Sequence, residues 1–258
     1  MENNLTFFLL KDSPLHRLTP FTKLLGVFTL IIMAFISPFY FLPTGLLLLV
    51  ILPVAVWGHI GRSFGQLFLR ILLPAIGFLF VMQSVFYPGG HTVLFSFWFL
   101  SVTKESVTFA YLISTRVAVM VSAFILFLLS THPGDLMIDL CARGVPSMLS
   151  YVITTSLQII PQMRIKSQSI IDAQRSRGLE TEGHLQNRIR ALIPLVRPLI
   201  LGSLVDVEER TIAVEARGFA SPNQKTHLKE IHDTSAERVA RWLFLVFLLL
   251  TIGSRLWR

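Results

Sequence analysis

"SVTFAYLISTRVAVMVSAFILFLLS", Ser106 to Ser130, is an apolar run broken by one charge, Arg116, near its middle. At about 1.5 Å per residue it is long enough to cross the roughly 30 Å hydrocarbon core of a bilayer. It contains neither proline nor glycine to turn it back, so it reads as a membrane-spanning helix. A guanidinium at that depth is costly. Two roles fit Arg116: a residue that faces protein and is satisfied by helix carbonyls or a carboxylate, or a direct participant in gating or substrate passage.

The rest of the chain agrees with a membrane setting. Of 258 residues, 53% are hydrophobic and 15% charged, with a mean hydropathy of +0.64. A soluble domain carries about a quarter charged residues. Further spans are expected at Thr22–Ser37, Phe39–Trp57, about Gln66–Phe86 and Val239–Gly253. Pro43 and Pro53 fall near the ends of the second, where freed backbone groups find other partners. Phe95–Leu100 is too short to cross alone and reads as interfacial or re-entrant, after the turn "YPGGH", Tyr87–His91. A half-span near Ser147–Ile160 would change the parity.

The net charge of +8 does not describe a nucleic-acid surface. Between Thr131 and Arg241, 14 Lys and Arg face 12 Asp and Glu. The excess comes from residues flanking apolar blocks, including Arg17, Lys23, Arg62 and Arg70, as positive-inside orientation requires. With the N-terminus inside, residues 131–238 lie in the cytoplasm, and the C-terminal "SRLWR" lies outside as a mild violation. The expected organisation is 1–130 transmembrane, 131–238 cytosolic and 239–258 a last transmembrane helix. The lone cysteine, Cys141, excludes a disulfide framework. "MENNLTFFLLKD" lacks the basic n-region of a cleavable signal.

Two long helical patterns occupy the cytosolic stretch. Across Tyr151–Gly178, Ile153, Leu157, Ile160, Met163 and Ile170 recur at helical spacing, with Gln158, Gln162, Lys166 and Ser169 largely on the other side. Across Leu192–Gly218 the apolar series is Leu192, Val196, Leu199, Ile200, Leu204 and Val207, and the polar one Asp206, Glu208, Glu209 and Arg210. Prolines early in each run (Pro161; Pro194 and Pro198) are expected to bend or reset the helix start. Each run ends at glycine, which closes helices in the left-handed conformation. At roughly 40 Å each, they are too long for loop ornaments and too polar to cross a bilayer.

Catalytic motifs do not survive inspection. "GRSFG", Gly61–Gly65, has the spacing of a nucleophile elbow but no strand before it. The seven histidines show no HExxH or i, i+4 pairing, so no metal site is expected. Glu208 and Glu209 sit beside Arg210 on a solvated face. "CARGVP", Cys141–Pro146, follows a short helix and reads as a turn. No GxxxxGK[ST] loop exists, so energy from ATP would have to enter through another subunit.

What remains is a pair of helix ends about forty residues apart, "AQRSRGLE" (Ala173–Glu180) and "EARGF" (Glu215–Phe219). A guanidinium at the end of a long helix can make bidentate bonds in an acidic groove. Two such ends suit a partner offering two similar grooves, as a dimer of ATPase subunits does. With "SPLHRLTPFTKLL" before the first span, Arg116, "STHPGDL" and Pro161, this order of motifs resembles the transmembrane T component of energy-coupling factor transporters. Those are vitamin and metal-ion uptake systems, cobalt/nickel systems among them, related to ABC transporters. The resemblance covers most of the chain. It departs at Ser176, where alanine is commonest, and at Thr19, where the family has aspartate.

The resemblance implies an all-α integral membrane protein with about five transmembrane helices and two long cytosolic amphipathic coupling helices. It implies a non-catalytic subunit in the cell membrane that transmits the motion of two ABC-type ATPases to a separate small substrate-binding subunit. ATP and Mg would be used by the ATPases, with no cofactor bound by this chain. The coupling contacts would be Arg177 and Gly178 at the first end and Ala216, Arg217 and Gly218 at the second. Arg175 and Ser176 form an alternative register of the first. A stand-alone secondary transporter and a membrane-embedded enzyme are the competing readings. The first lacks a visible inverted repeat, and the second rests on "GRSFG" or the histidines.

Overall fold

Pro20, whose fixed φ suits a first helical position, opens α1, Pro20–Ile36. The computed structural model describes residues 15, 18–37, 39–87, 92–97, 100–179, 185–219, 221 and 233–256. His16, Arg17, residues 88–91, Glu180, Pro222, His232 and the last two residues of "SRLWR" lie outside these. The chain divides into two compact units, Met1–Arg143 with Lys229–Arg258, and Gly144–Leu228.

In the first unit α1 is followed by α2, Leu42–Trp57, and α3, Gly61–Phe86. Each of the latter contains one π-helical turn, Leu47–Ile51 in α2 and Phe68–Leu72 in α3. Both turns end two residues before a proline, Pro53 and Pro74. Proline offers no N–H and its ring crowds the carbonyl four residues back. Widening the preceding turn, with Leu52 N–H donating to Leu47 and Leu73 N–H to Phe68, keeps the helix continuous. "GRSFG" lies in the first turns of α3, not on a strand–turn–helix.

The stretch expected to be interfacial or re-entrant forms a hairpin, the one exception to helix among the described residues. β1, Val93–Phe97, pairs antiparallel with β2, Leu100–Thr103, in the register Phe95↔Val102, Ser96↔Ser101 and Phe97↔Leu100. Aromatic and β-branched residues favour the extended backbone. Glu105 accepts from the Thr92 hydroxyl at 2.7 Å. Thr103 and Ser106 cap each other's backbone N–H groups and start α4, Lys104–Ser130.

α3 and α4 are each long and apolar enough to cross a membrane, whereas α1 and α2 are apolar but shorter. α5, Pro133–Ala142, and α8, Ser235–Leu256, complete the unit. The core gathers Val27, Met33, Ala34, Ile51, Phe64 and Val119. α8 approaches α1 closely at Gly26, where a Cβ would stand 3.3 Å from the Phe244 ring.

A ring of charges closes the end of this unit. The backbone N–H of Phe21 donates to Asp139 Oδ2 at 2.8 Å, and Arg143 Nε donates to Asp139 Oδ1 at 2.9 Å. Arg143 Nη2 reaches Asp233 Oδ1 at 3.0 Å, and Arg241 Nη2 reaches Asp233 Oδ2 at 2.9 Å. Arg241 Nη1 then donates to Thr22 Oγ1 at 3.2 Å, next to the starting residue. The Arg143 guanidinium lies over the Phe21 ring at 4.2 Å. The Thr19 N–H donates to Glu237 Oε1 at 2.8 Å. Orphan donors at the start of α1 are thus satisfied by distant carboxylates instead of a local cap. The Arg241 guanidinium, with Arg143 beside it, holds the Asp233 carboxyl below the usual carboxylate range.

The second unit is a helix pair. α6, Ser147–Ser176, and α7, Leu185–Ala216, begin well before the expected starts. Pro161, Pro194 and Pro198 therefore lie inside the helices and do not reset them. Each removes one internal hydrogen bond, which helices of about 45 Å and 48 Å absorb.

Candidate functional site

The two helices of the second unit run antiparallel and touch at their middles. Lys166 Nζ on α6 donates to Asp206 Oδ2 on α7 at 2.6 Å. The Ser203 hydroxyl donates to the Met163 sulfur at 3.5 Å. Towards one end, Arg210 donates to Gln162 at 3.3 Å, and the Tyr151 and Phe219 rings lie 4.9 Å apart. The opening there is a groove of about 1080 Å³ lined by residues such as Tyr151, Met163, Val207 and Val214. Lys166 and Asp206, read from sequence as parts of polar faces, instead face each other. The expected stripe of Ile153, Leu157 and Ile160 is exposed, Ile160 at 61%, and no residue of α6 is buried.

Both central contacts join residues forty apart, and the same offset relates the helix ends. Gly178 has φ 87° and Gly218 has φ 69°. The Gly178 N–H donates to Arg175 O and the Gly218 N–H to Glu215 O, each at 2.9 Å. The Leu179 N–H donates to Gln174 O at 3.0 Å and the Phe219 N–H to Val214 O at 3.2 Å. This is the Schellman closure, which a glycine in the left-handed region permits. The same forty-residue offset therefore pairs Lys166 with Asp206, Arg177 with Arg217 and Gly178 with Gly218 in sequence. In that pairing Arg175 corresponds to Glu215 and Ser176 to Ala216.

Each arginine stands eleven residues beyond the crossing pair, or about 16 Å along its own arm. The two are carried in opposite directions, up to about 33 Å apart. Among the described residues, neither the Arg177 nor the Arg217 guanidinium makes a hydrogen bond or ion pair, and both are exposed. Arg175 is also exposed but has an interaction, and the Ser176 hydroxyl donates back to Asp172 O at 3.0 Å. Ala216 is exposed beside Arg217.

The third Arg-Gly string behaves differently. Gly144 also closes a helix at positive φ, 108°, but Arg143 is held by two carboxylates and an aromatic ring. One sequence pattern thus yields one arginine used internally and two held out to solvent.

Arg116, in α4, is half-buried. Its Nε donates to Ala34 O at 3.1 Å and its Nη2 to Ser37 O at 3.5 Å, with its guanidinium 5.8 Å from the Phe35 ring centre. The acceptors are carbonyls at the C-terminal end of α1, which have no helical N–H partners and carry the negative end of the helix dipole.

Gly202 permits the crossing. A Cβ there would stand 2.8 Å from Lys166 Nζ and 2.9 Å from its Cε. The Lys166 end can swing aside, so Gly202→Ala is expected to lose an ion pair worth about 1 kcal/mol or less while gaining about as much in helix propensity. Gly202→Phe cannot be absorbed in this way and should push the axes apart by a few ångström, since side chains at a contact set helix separation. Spin-label distances between positions 176 and 216 check this: shifted for Phe, retained for Ala. The sequence reading placed Lys166 and Asp206 on polar faces without pairing them, and did not single out Gly202. Applying the forty-residue offset of the Arg-Gly ends to the helix interiors would have found the charge pair.

Residues 11–228 match the family described as CbiQ, cobalt transport protein. The energy-coupling factor transporter transmembrane protein EcfT of Lactococcus lactis subsp. cremoris is 29% identical over 95% of this chain and 94% of its own length. EcfT of Exiguobacterium sibiricum is 31% identical over 70% of this chain and 74% of its own. That of Lacticaseibacillus paracasei is 30% identical over 83% and 84%. Exposed twin arginines on a pinned helix pair, joined to a unit with apolar helices of spanning length, are therefore those of a transporter's membrane component, and the chain belongs to the family of energy-coupling factor transporter transmembrane proteins.

Proposed function

We propose that the α6–α7 pair is the cytoplasmic coupling element of an ATP-driven importer in the cell membrane. Arg177 and Arg217 insert into matching acidic grooves of two ABC-type ATPase subunits. The chain itself is non-catalytic and binds no cofactor; its partners bind and hydrolyse ATP with Mg. Nucleotide-driven closing and opening of the ATPase pair moves the coupling helices, shifting the balance between two arrangements of the membrane part. That part holds a separate small membrane subunit, which carries the substrate, a vitamin or a metal ion. The exposed apolar residues of α6 and α7 form much of its dock, as large exposed apolar surfaces commonly do. α1, α2, α3, α4 and α8 supply five spans, the two shortest matched by local thinning of the bilayer.

The observation that carries this reading is the forty-residue offset. Two guanidinium groups at matching helix ends, unpartnered among the described residues, fit a partner that offers two similar grooves. Equivalence with Arg217 favours Arg177 over Arg175 as the first contact. Gentle purification of the tagged chain from its native membrane, followed by mass spectrometry, tests it. ABC-type ATPases and a small hydrophobic protein should accompany the chain. If it emerges alone while ATPases are demonstrably expressed, the reading fails in favour of a stand-alone transporter.

A further inference from the structure

The charge ring at the end of the first unit includes Arg143, the last residue before the chain leaves that unit, and Asp233, shortly after its return. The chain leaves the first unit immediately after Arg143 and re-enters it at Lys229. Asp233 lies four residues after that return. The 3.0 Å bond between Arg143 and Asp233 therefore joins the last residue before the departure to one that follows soon after the return. Asp139 links the tie to the start of α1, and Arg241 links it to α8 and back to α1. Asp139 is 3% exposed, so this arm of the ring is shielded from the solvent that weakens surface ion pairs. Gly144, next to Arg143, has positive φ and nothing within 4 Å of a would-be Cβ. A fixed residue thus adjoins an uncrowded one at the boundary.

We infer that the Arg143–Asp233 tie is the positioning element through which displacement of the helix pair enters the membrane unit. It makes the two connections pull together on the ends of α1, α5 and α8. The inference rests on the proposed function, because it takes the ATPases as the source of the displacement. Arg143 reaches no ATPase in this scheme; it acts through Asp139 and Asp233.

Hydrogen exchange read by mass spectrometry on the assembled complex, with Mg-ADP against a non-hydrolysable Mg-ATP analogue, tests it without knowledge of the substrate. In the parent complex, peptides bearing Arg177 and Arg217 and those at the starts of α1 and α8 should all change protection with nucleotide. With Cys141→Ser removing the only cysteine, Arg143→Cys with Asp233→Cys cuts the tie. The response at α1 and α8 should vanish while that at Arg177 and Arg217 persists. Joining the two cysteines with a short bis-maleimide should restore it. An undiminished response at α1 and α8 after cutting, or a loss that cross-linking does not repair, overturns the inference. If the Arg177 and Arg217 peptides of the parent do not respond at all, the proposed function fails, and the tie's role with it.

Discussion

Arg217→Glu is expected to leave the chain folded and inserted but to detach it from the ATPase subunits proposed as its partners. The guanidinium has no partner among the described residues of its own chain, so the fold loses nothing with it. In the proposed acidic groove it is one half of a desolvated charge pair, and removing one half costs roughly 3–5 kcal/mol, a factor of about 10² to 4 × 10³ in affinity. Reversing the charge adds repulsion. Arg177→Glu should act alike, and the double variant should recover no ATPase on co-purification. Arg217→Lys keeps the charge but not the planar fork and should fall between. Parent-like recovery of ATPase by the double variant would sink the coupling assignment for both residues.

The largest effect on stability is expected at Asp139. This carboxylate accepts the Phe21 N–H and the Arg143 guanidinium while almost wholly buried. Asp139→Ala strands the Phe21 N–H and takes from Arg143 one of its two carboxylates, and should cost about 3 kcal/mol. Asp139→Asn keeps one carbonyl oxygen as acceptor and should cost less. Denaturation midpoints of the detergent-solubilised variants relative to the parent provide the measurement, and an unchanged midpoint for Asp139→Ala would refute the account of the ring. Asp233 adds a pH signature. Its carboxyl is held below the usual range by Arg241, so its contribution is complete above the unfolded carboxylate value. That contribution is lost as pH falls through the lower folded value.

The membrane setting, both long helices and the twin arginines were legible because each is written locally, as an apolar run, a 3.6-residue period or a tripeptide. The hairpin was not. In the sequence Val93–Thr103 apolar residues follow one another without a break from Val93 to Phe95 and from Phe97 to Leu100, so the two-residue alternation that marks a half-buried strand is hidden. Pro161, Pro194 and Pro198 were expected to bend or reset the helix starts, yet the helices continue through them, each proline giving up one internal hydrogen bond. The π turns before Pro53 and Pro74 leave no mark in composition. Asp139 and Asp233 are single carboxylates far apart in sequence, and only the folded chain brings both to Arg143. Lys166 and Asp206 looked solvated because charged residues on amphipathic helices usually are.

The equal arms of the helix pair have a consequence for how such chains change over time. One residue gained between Lys166 and Arg177 would turn that arginine by about 100° and carry it about 1.5 Å along the axis. Its counterpart would stay in place. Seven residues, about two turns, would restore the facing direction but lengthen the arm by roughly 10 Å. On the proposed docking, an insertion in one arm calls for a matching change in the other, or in the spacing of the surfaces that receive them. Arm length is then set as a pair, like the two legs of a calliper.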